Sequence, residues 1–292
     1  KPNLLARSLK VQETKTIGLI FTNITSPFWP PMVRTIQRIT QEAGFDTILI
    51  TTDEDIEREK VSLFNLISKR VDGIILTPSI SNTYEHIRET AKTTPIIAVE
   101  REIPGIESVI SNNEEIFYQA VCHLLDHGYR RIGLITLPHT GISTAHRIAG
   151  YTRALKERNL YDEKLIREVD FVGKRSLEAS RDILVSAEVD AIITTSESTS
   201  LGILKAAKES GRSIPDDLAV FGFDDVPWME ITNPPLSTIH QPVREIAKIA
   251  INLLLDSISG KDLEGKIHTV EASLVIRESC GCKNSTNNHR RT

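Results

Sequence analysis

At 292 residues the chain is longer than one typical core covers, and its length favours two lobes. Hydrophobic residues at 40% and charged residues at 25% exclude a disordered chain, and no apolar run approaches the ~18 residues a membrane-spanning helix requires. A net charge of −4 excludes a body-wide electrostatic grip on nucleic acid, so any contact with DNA must be local.

The chain opens on "KPNLLARSLK", where Lys1, Arg7 and Lys10 surround Leu4, Leu5, Ala6 and Leu9. This reads as a short basic helix ahead of the globular body, with residues 1–15 as a linker. No apolar segment with a small-residue cleavage site opens the chain, so nothing marks export and the cytoplasm is the expected compartment. Strands are expected at 16–21, 46–51, 72–77, 95–100, 108–111, 131–136, 167–172, 190–195 and 218–224. Helical patterns fall between and after them, at 30–43, 57–70, 82–93, 114–127, 145–158, 174–187, 198–211 and 242–259. Short, almost wholly apolar strands alternating with helices are the pattern of parallel sheets covered on both faces, so the fold class is α/β.

An internal repeat divides the chain. "TIGLIF" is followed by "VDGIILT", and "RIGLIT" by "VDAIITT", with Ile17 and Val71 54 positions apart and Ile132 and Val189 57 apart. Two doubly wound parallel-sheet lobes follow. After "PPLSTIHQP" the chain still supplies a helix and the alternation "HTVEASLVIRES" at 268–279, so it crosses back between lobes. That predicts a multi-strand hinge, with a first lobe at 16–129 plus 241–266 and a second at 130–240 plus 267–282. Residues 283–292 are polar and aperiodic and read as a tail.

Cys122, Cys280 and Cys282 are an odd set and make no disulfide framework. The "CGC" at 280–282 has no His or second Cys pair at ligand spacing nearby in the sequence. A metal held at this segment is the alternative to an inert end; the inert end is the reading taken, so neither metal nor cofactor is expected. The familiar glycine-rich phosphate loops, nucleophile elbow and zinc-protease sequence are all missing, which leaves an enzyme as the weaker class.

Doubly wound sheets bind ligands beyond the carboxyl ends of their strands, and two facing lobes would bring those ends to one cleft. The candidates there are Thr22, Phe28, Trp29, Ser143, Arg147, Phe171, Ser196, Glu197 and Asp224. Carboxylate and guanidinium groups can each bond two adjacent hydroxyls while a ring stacks on an apolar sugar face, so the set suits a sugar, polyol or nucleoside. Each has a duller reading. Phe28 and Trp29, followed by Pro30 and Pro31, fit a helix start packed into its lobe; Arg147 could pair with Glu157; Asp224 could cap the short helix near 226–230.

The segments "PNLLARSLK", "TKTIGLI", "KRVDGIILTPS", "IIAVERE", "HLLDHGYRRIGLI", "HRIAGYTRAL", "SIPDDLAVFGFDDVPWMEITNPPLSTIHQPV" and "ASLVIRES" together resemble the lactose and galactose repressor family of bacterial transcription regulators, across nearly the whole chain. The resemblance implies the two-lobed fold of type I periplasmic binding proteins, a homodimer, a small-molecule effector and operator DNA as partners, and no membrane. It implies that "LARSL" is a hinge helix following a helix-turn-helix headpiece, with Leu9 as the leucine wedged into the central base step and Ala6, Arg7 and Lys10 beside it. An apolar wedge that bends DNA between basic neighbours is coherent physics. The headpiece is not in this sequence, so effector binding and dimerisation without firm operator binding are expected. By position the family also implies Phe28 and Trp29 as pocket walls, Thr22 as a hydroxyl contact, Ser143 and Arg147 as the second lobe's grip, Phe171 as an aromatic wall and Asp224 as the carboxylate. Departures stand at Ser111-Asn112, Ser196-Glu197, Ile116 and Gly128-Tyr129, so the effector cannot be copied from a relative. A periplasmic sugar-binding protein is the alternative, and a sugar- or nucleoside-processing enzyme the third reading.

Overall fold

The computed structural model describes residues 14–81, 83–170 and 175–282. The hinge-helix positions Ala6, Arg7, Leu9 and Lys10 and the candidate Phe171 lie outside these. The described residues form two compact units, residues up to 111 with 242–270, and residues 112–241 with the segment from 271 onward. The chain passes between units at 111–112, 241–242 and 270–271.

The first unit runs β1 (Thr16–Phe21), α1 (Trp29–Glu42), β2 (Asp46–Thr51), α2 (Ile56–Ser68), β3 (Gly73–Leu76), α3 (Glu85–Ala91), β4 (Ile96–Val99) and β5 (Ser108–Ser111). The second runs α4 (Asn113–Asp126), β6 (Ile132–Thr136), α5 (Ile142–Glu157), β7 (Ile166–Glu168), α6 (Ser176–Ser186), β8 (Ala191–Thr194), α7 (Glu197–Glu209), β9 (Ala219–Phe223) and β10 (Ser237–His240). The chain then returns α8 (Val243–Ile258) and β11 (Ile267–Val270) to the first unit and β12 (Ser273–Val275) to the second. The sheet orders are β11-β5-β4-β3-β1-β2 and β12-β10-β9-β8-β6-β7. All pairings are parallel except β10 with β12. Strands β1 to β5 and β6 to β10 thus occupy equivalent places, which is the sequence repeat expressed as topology.

Central strands are apolar throughout because helices cover both faces: β3, β4, β6, β8 and β9 are buried along their whole length. In the first unit α1 and α8 seal one face, with Met32, Ile36, Ile246, Ile251 and Leu254 among its fully buried side chains. Among the described residues no helix is long and apolar enough to cross a membrane.

Two expectations need correction, and one strand was not expected at all. The lobe boundary expected at 129 would leave α4 in the first unit, whereas α4 belongs to the second. Its Phe117, Ala120, Val121 and Leu124 share a core with Leu134, Tyr151, Ile193 and Phe221. It also lies directly on α5: a Cβ on Gly150 would stand 2.1 Å from the Glu114 carbonyl oxygen, so only glycine permits this approach. The alternation expected as one strand at 268–279 is two short strands, β11 and β12, in different sheets, so the last crossing falls at 270–271 rather than 266. Residues 237–240, where no element was expected, form β10 between β9 and β12, with Ser237, Thr238 and Ile239 fully buried.

Candidate functional site

The sequence-selected residues divide between the units. In the first, Thr22 sits just past β1, 3% exposed, its carbonyl accepting from the Asp53 amide at 2.7 Å. Pro30 and Pro31 occupy the opening turn of α1, where a missing N–H leaves nothing unsatisfied. Trp29 stacks on Phe21 at 4.9 Å between ring centroids, and Phe28 meets Trp29 edge-on at 4.8 Å. Both rings are 6% exposed and belong to the first unit's core, so the packed helix start describes what they do in this structure.

The strand ends of the first unit also hold charged groups that sequence reading passed over. Arg101, after β4, makes a two-pronged pair with Glu54 at 2.7 and 2.8 Å and donates to the Pro78 carbonyl at 2.8 Å. The fully buried Glu59 accepts from His86 Nε2 at 2.7 Å and from the Ser79 amide. Each carboxylate is desolvated and answered by donors, as a buried charge must be.

The second unit brings several of the expected residues together. Arg147, on the first turns of α5, is 5% exposed. Its Nε donates to Asn113 Oδ1 at 2.8 Å and its Nη1 to the Thr195 carbonyl at 2.9 Å. The guanidinium carbon stands 4.2 Å from the centroid of the Phe223 ring, on whose face the planar cation rests. The possible partner Glu157 instead accepts from Tyr118 Oη at 2.7 Å. Ser143 and Thr144 are buried on the turn before Arg147.

Asp224 follows β9. Its φ of +83° and the +46° of Asp225 put two successive non-glycine residues in the left-handed region. Such geometry costs about 1–3 kcal/mol per residue and persists only where the surroundings impose it. Here the Asp224 amide donates to the Ile239 carbonyl at 2.9 Å, Gln241 Nε2 donates to Oδ1 at 2.7 Å and the Glu197 amide to Oδ2 at 3.3 Å. Burial pushes the Asp224 carboxyl above the ordinary carboxylate range, and the Gln241 bond, the Arg147 charge and the Glu197 amide act against that rise. Asp224 therefore touches the start of α7 rather than capping the short helix Pro227–Glu230, whose N-cap residue is Val226.

Glu197 accepts from Trp228 Nε1 at 2.9 Å, which fixes an indole beside the cluster. Ser196 is the N-cap of α7: its hydroxyl accepts from the Thr199 amide at 3.2 Å, and Thr199 Oγ1 accepts from the Ser196 amide at 3.0 Å. Capping is thus its work here. Beside Asp224, Asp225 is held below the usual range: burial opposes this, but His240 and a 2.8 Å bond from Arg277 outweigh it. Asn113, Gln241 and Trp228 complete the site, and none stood out in the sequence because amides and an indole carry no charge or motif to mark them.

This arrangement places a cation resting on an aromatic face and a buried carboxylate, each with its own side-chain amide partner, beyond the carboxyl ends of β6, β8, β9 and β10. Paired hydroxyls are what such a set can bind: each accepts from a donor and donates to the carboxylate.

Residues 121–280 match the family model of a periplasmic binding protein-like domain. The chain is 30% identical over 285 residues to the HTH-type transcriptional repressor PurR of Aliivibrio fischeri strain MJ11, covering 95% of this chain and 85% of that protein. It is 31% identical over 292 residues to the ribose operon repressor of Halalkalibacterium halodurans, covering 98% and 86%. Among solved structures, a periplasmic binding protein/LacI transcriptional regulator from Alkaliphilus metalliredigens complexed with D-xylulofuranose superposes with a TM-score of 0.79 at 30% identity, covering 91% of this chain and 98% of the other.

Proposed function

The chain belongs to the lactose and galactose repressor family of ligand-responsive transcriptional regulators, built on a periplasmic binding protein-like domain, and from that premise we propose that its effector is a small neutral polyhydroxylated molecule held by Arg147 and Asp224. The observation that carries this reading is the pairing of two buried opposite charges with Asn113 and Gln241 as their amide partners. A carboxylate kept costly by burial gains by accepting from ligand hydroxyls, and the guanidinium donates to them. A phosphate would meet Asp224 and Glu197 and be repelled.

In this reading the protein is a homodimer that contacts operator DNA through the segment holding Ala6, Arg7, Leu9 and Lys10, together with a headpiece. It works in the cytoplasm, where operator DNA is. Whether the effector releases DNA or promotes binding depends on which of two conformations it prefers. The named relatives support the regulatory role, and the D-xylulofuranose complex of one of them supports a sugar-like effector.

A thermal-melt screen against sugars, polyols, nucleosides, purines and sugar phosphates tests the effector class, because a ligand that binds only the folded state raises the midpoint. A shift from a neutral sugar or polyol is the expected result. Shifts confined to purines or phosphorylated ligands would contradict the assigned chemistry, and turnover of the ligand would contradict the regulatory role.

A further inference from the structure

Away from that cluster, His123 on α4 and His127 at its C-terminal cap stand one turn apart, and the chain's "CGC" segment lies against them. Ligand atoms of His123, His127 and Cys282 meet there, and Cys280 Sγ reaches His123. Cys282 Sγ is 3.0 Å from His127 Nε2 and 3.7 Å from His123 Nε2, and Cys280 Sγ is 3.3 Å from His123 Nε2. The ligand atoms of His123, His127 and Cys282 all lie within 4.8 Å of one another. A tetrahedral zinc ion with its usual bond lengths sets sulfur and nitrogen ligands ~3.5 Å apart, and the separations of Cys282 from both histidines and of Cys280 from His123 lie on either side of that value.

The surroundings prepare the same atoms. His127 Nδ1 donates to the His123 carbonyl at 2.8 Å, which leaves Nε2 as the lone-pair nitrogen facing Cys282. Metal-binding histidines are held in this way, the second ring nitrogen bonded to a carbonyl or carboxylate. On the sulfur side, Ser237 Oγ donates to Cys280 Sγ at 3.1 Å, a contact a thiolate would keep, while the thiol's own 3.5 Å bond to the Arg277 carbonyl would be given up on ligation.

We propose that His123, His127 and Cys282, joined by Cys280 beside His123 as the fourth ligand, form a tetrahedral site for a thiophilic divalent cation, with zinc as the ion that suits these donors best. Two neutral imidazoles and two thiolates would neutralise the ion's charge. The thiols give up their protons to solvent as the sulfur–metal bonds form, and nothing is oxidised or reduced. The ion would tie the returning C-terminal segment of the second unit to that unit's first helix, acting as a clip between parts of the chain about 150 residues apart. The reading of 280–282 as an inert end follows from sequence spacing alone. The histidines supply the missing ligands only because the fold carries the segment back onto α4.

Titration of the reduced chain with Co2+, followed by displacement with Zn2+, tests the site. One equivalent of Co2+ should give the visible bands of a tetrahedral site together with thiolate-to-metal charge transfer, and one equivalent of Zn2+ should abolish both. Cys282→Ser and His127→Ala should each weaken Zn2+ binding at least a hundredfold, while Cys122→Ser on the same helix leaves it unchanged. Circular dichroism of the metal-free variants separates lost ligation from lost folding; Cys282, only partly buried, tolerates serine without a core defect. Absence of the charge-transfer band at one equivalent would overturn the proposal, as would wild-type affinity in a folded Cys282→Ser chain.

Discussion

Asp224 concentrates the site's energetics in one side chain. Burial gives its carboxyl a higher proton affinity in the folded chain than in the unfolded one. The stability it contributes is therefore fully present below the ordinary carboxylate range and is lost as pH rises through the folded-state value. Asp224→Asn should melt above the wild type at neutral pH in the absence of effector, with the gap closing as pH falls into the carboxylate range. A gap that ignores pH, read from melting midpoints across that window, would mean another group titrates. Arg147→Ala should act oppositely, destabilising by about 3–5 kcal/mol in denaturant melts because it strips a buried network of its cation. That Arg147, Glu197 and Asp224 gather past the strand ends was legible in the sequence, since charged residues stand out there. Phe28 and Trp29 were not decidable: a helix start packed into a core and a ligand wall both call for large rings after β1. Ser196 was ambiguous for a similar reason, because a hydroxyl at the start of a helix serves a cap as readily as a ligand.

Among the elements, α4 and α5 show most clearly what periodicity does not carry. Apolar alternation located α4 within a residue or two, yet assigned it to the wrong unit, because its apolar face would suit either sheet. Gly150 decides the matter through contact with the Glu114 backbone, a close approach visible only in three dimensions. Gly150→Ala should therefore destabilise at the upper end of the ~1–3 kcal/mol typical of overpacking, measured by the shift in denaturant midpoint. The capping box at the start of α7 offers a milder test: Ser196→Ala should cost ~1 kcal/mol. The central strands were legible because burial on both faces leaves continuous apolar runs. β10 was missed because "STIH" places three buried residues, two of them hydroxylic, between proline-rich turns.

The molecule as a whole follows from its repeat. Two βαβ series, each completed by strands returning from the end of the chain, give two units linked by three crossings. The dimer is expected at micromolar concentration in analytical ultracentrifugation, and a monomer there would contradict that part of the reading. The central claim is that a polyhydroxylated effector is held between the Arg147 cation and the Asp224 carboxylate. It is tested most directly by calorimetric titration of the effector found in the melt screen into wild-type, Arg147→Lys and Asp224→Asn chains. Both substitutions should leave a folded chain and weaken binding more than tenfold, about 1.4 kcal/mol or more. Wild-type affinity in either folded variant would contradict the claim.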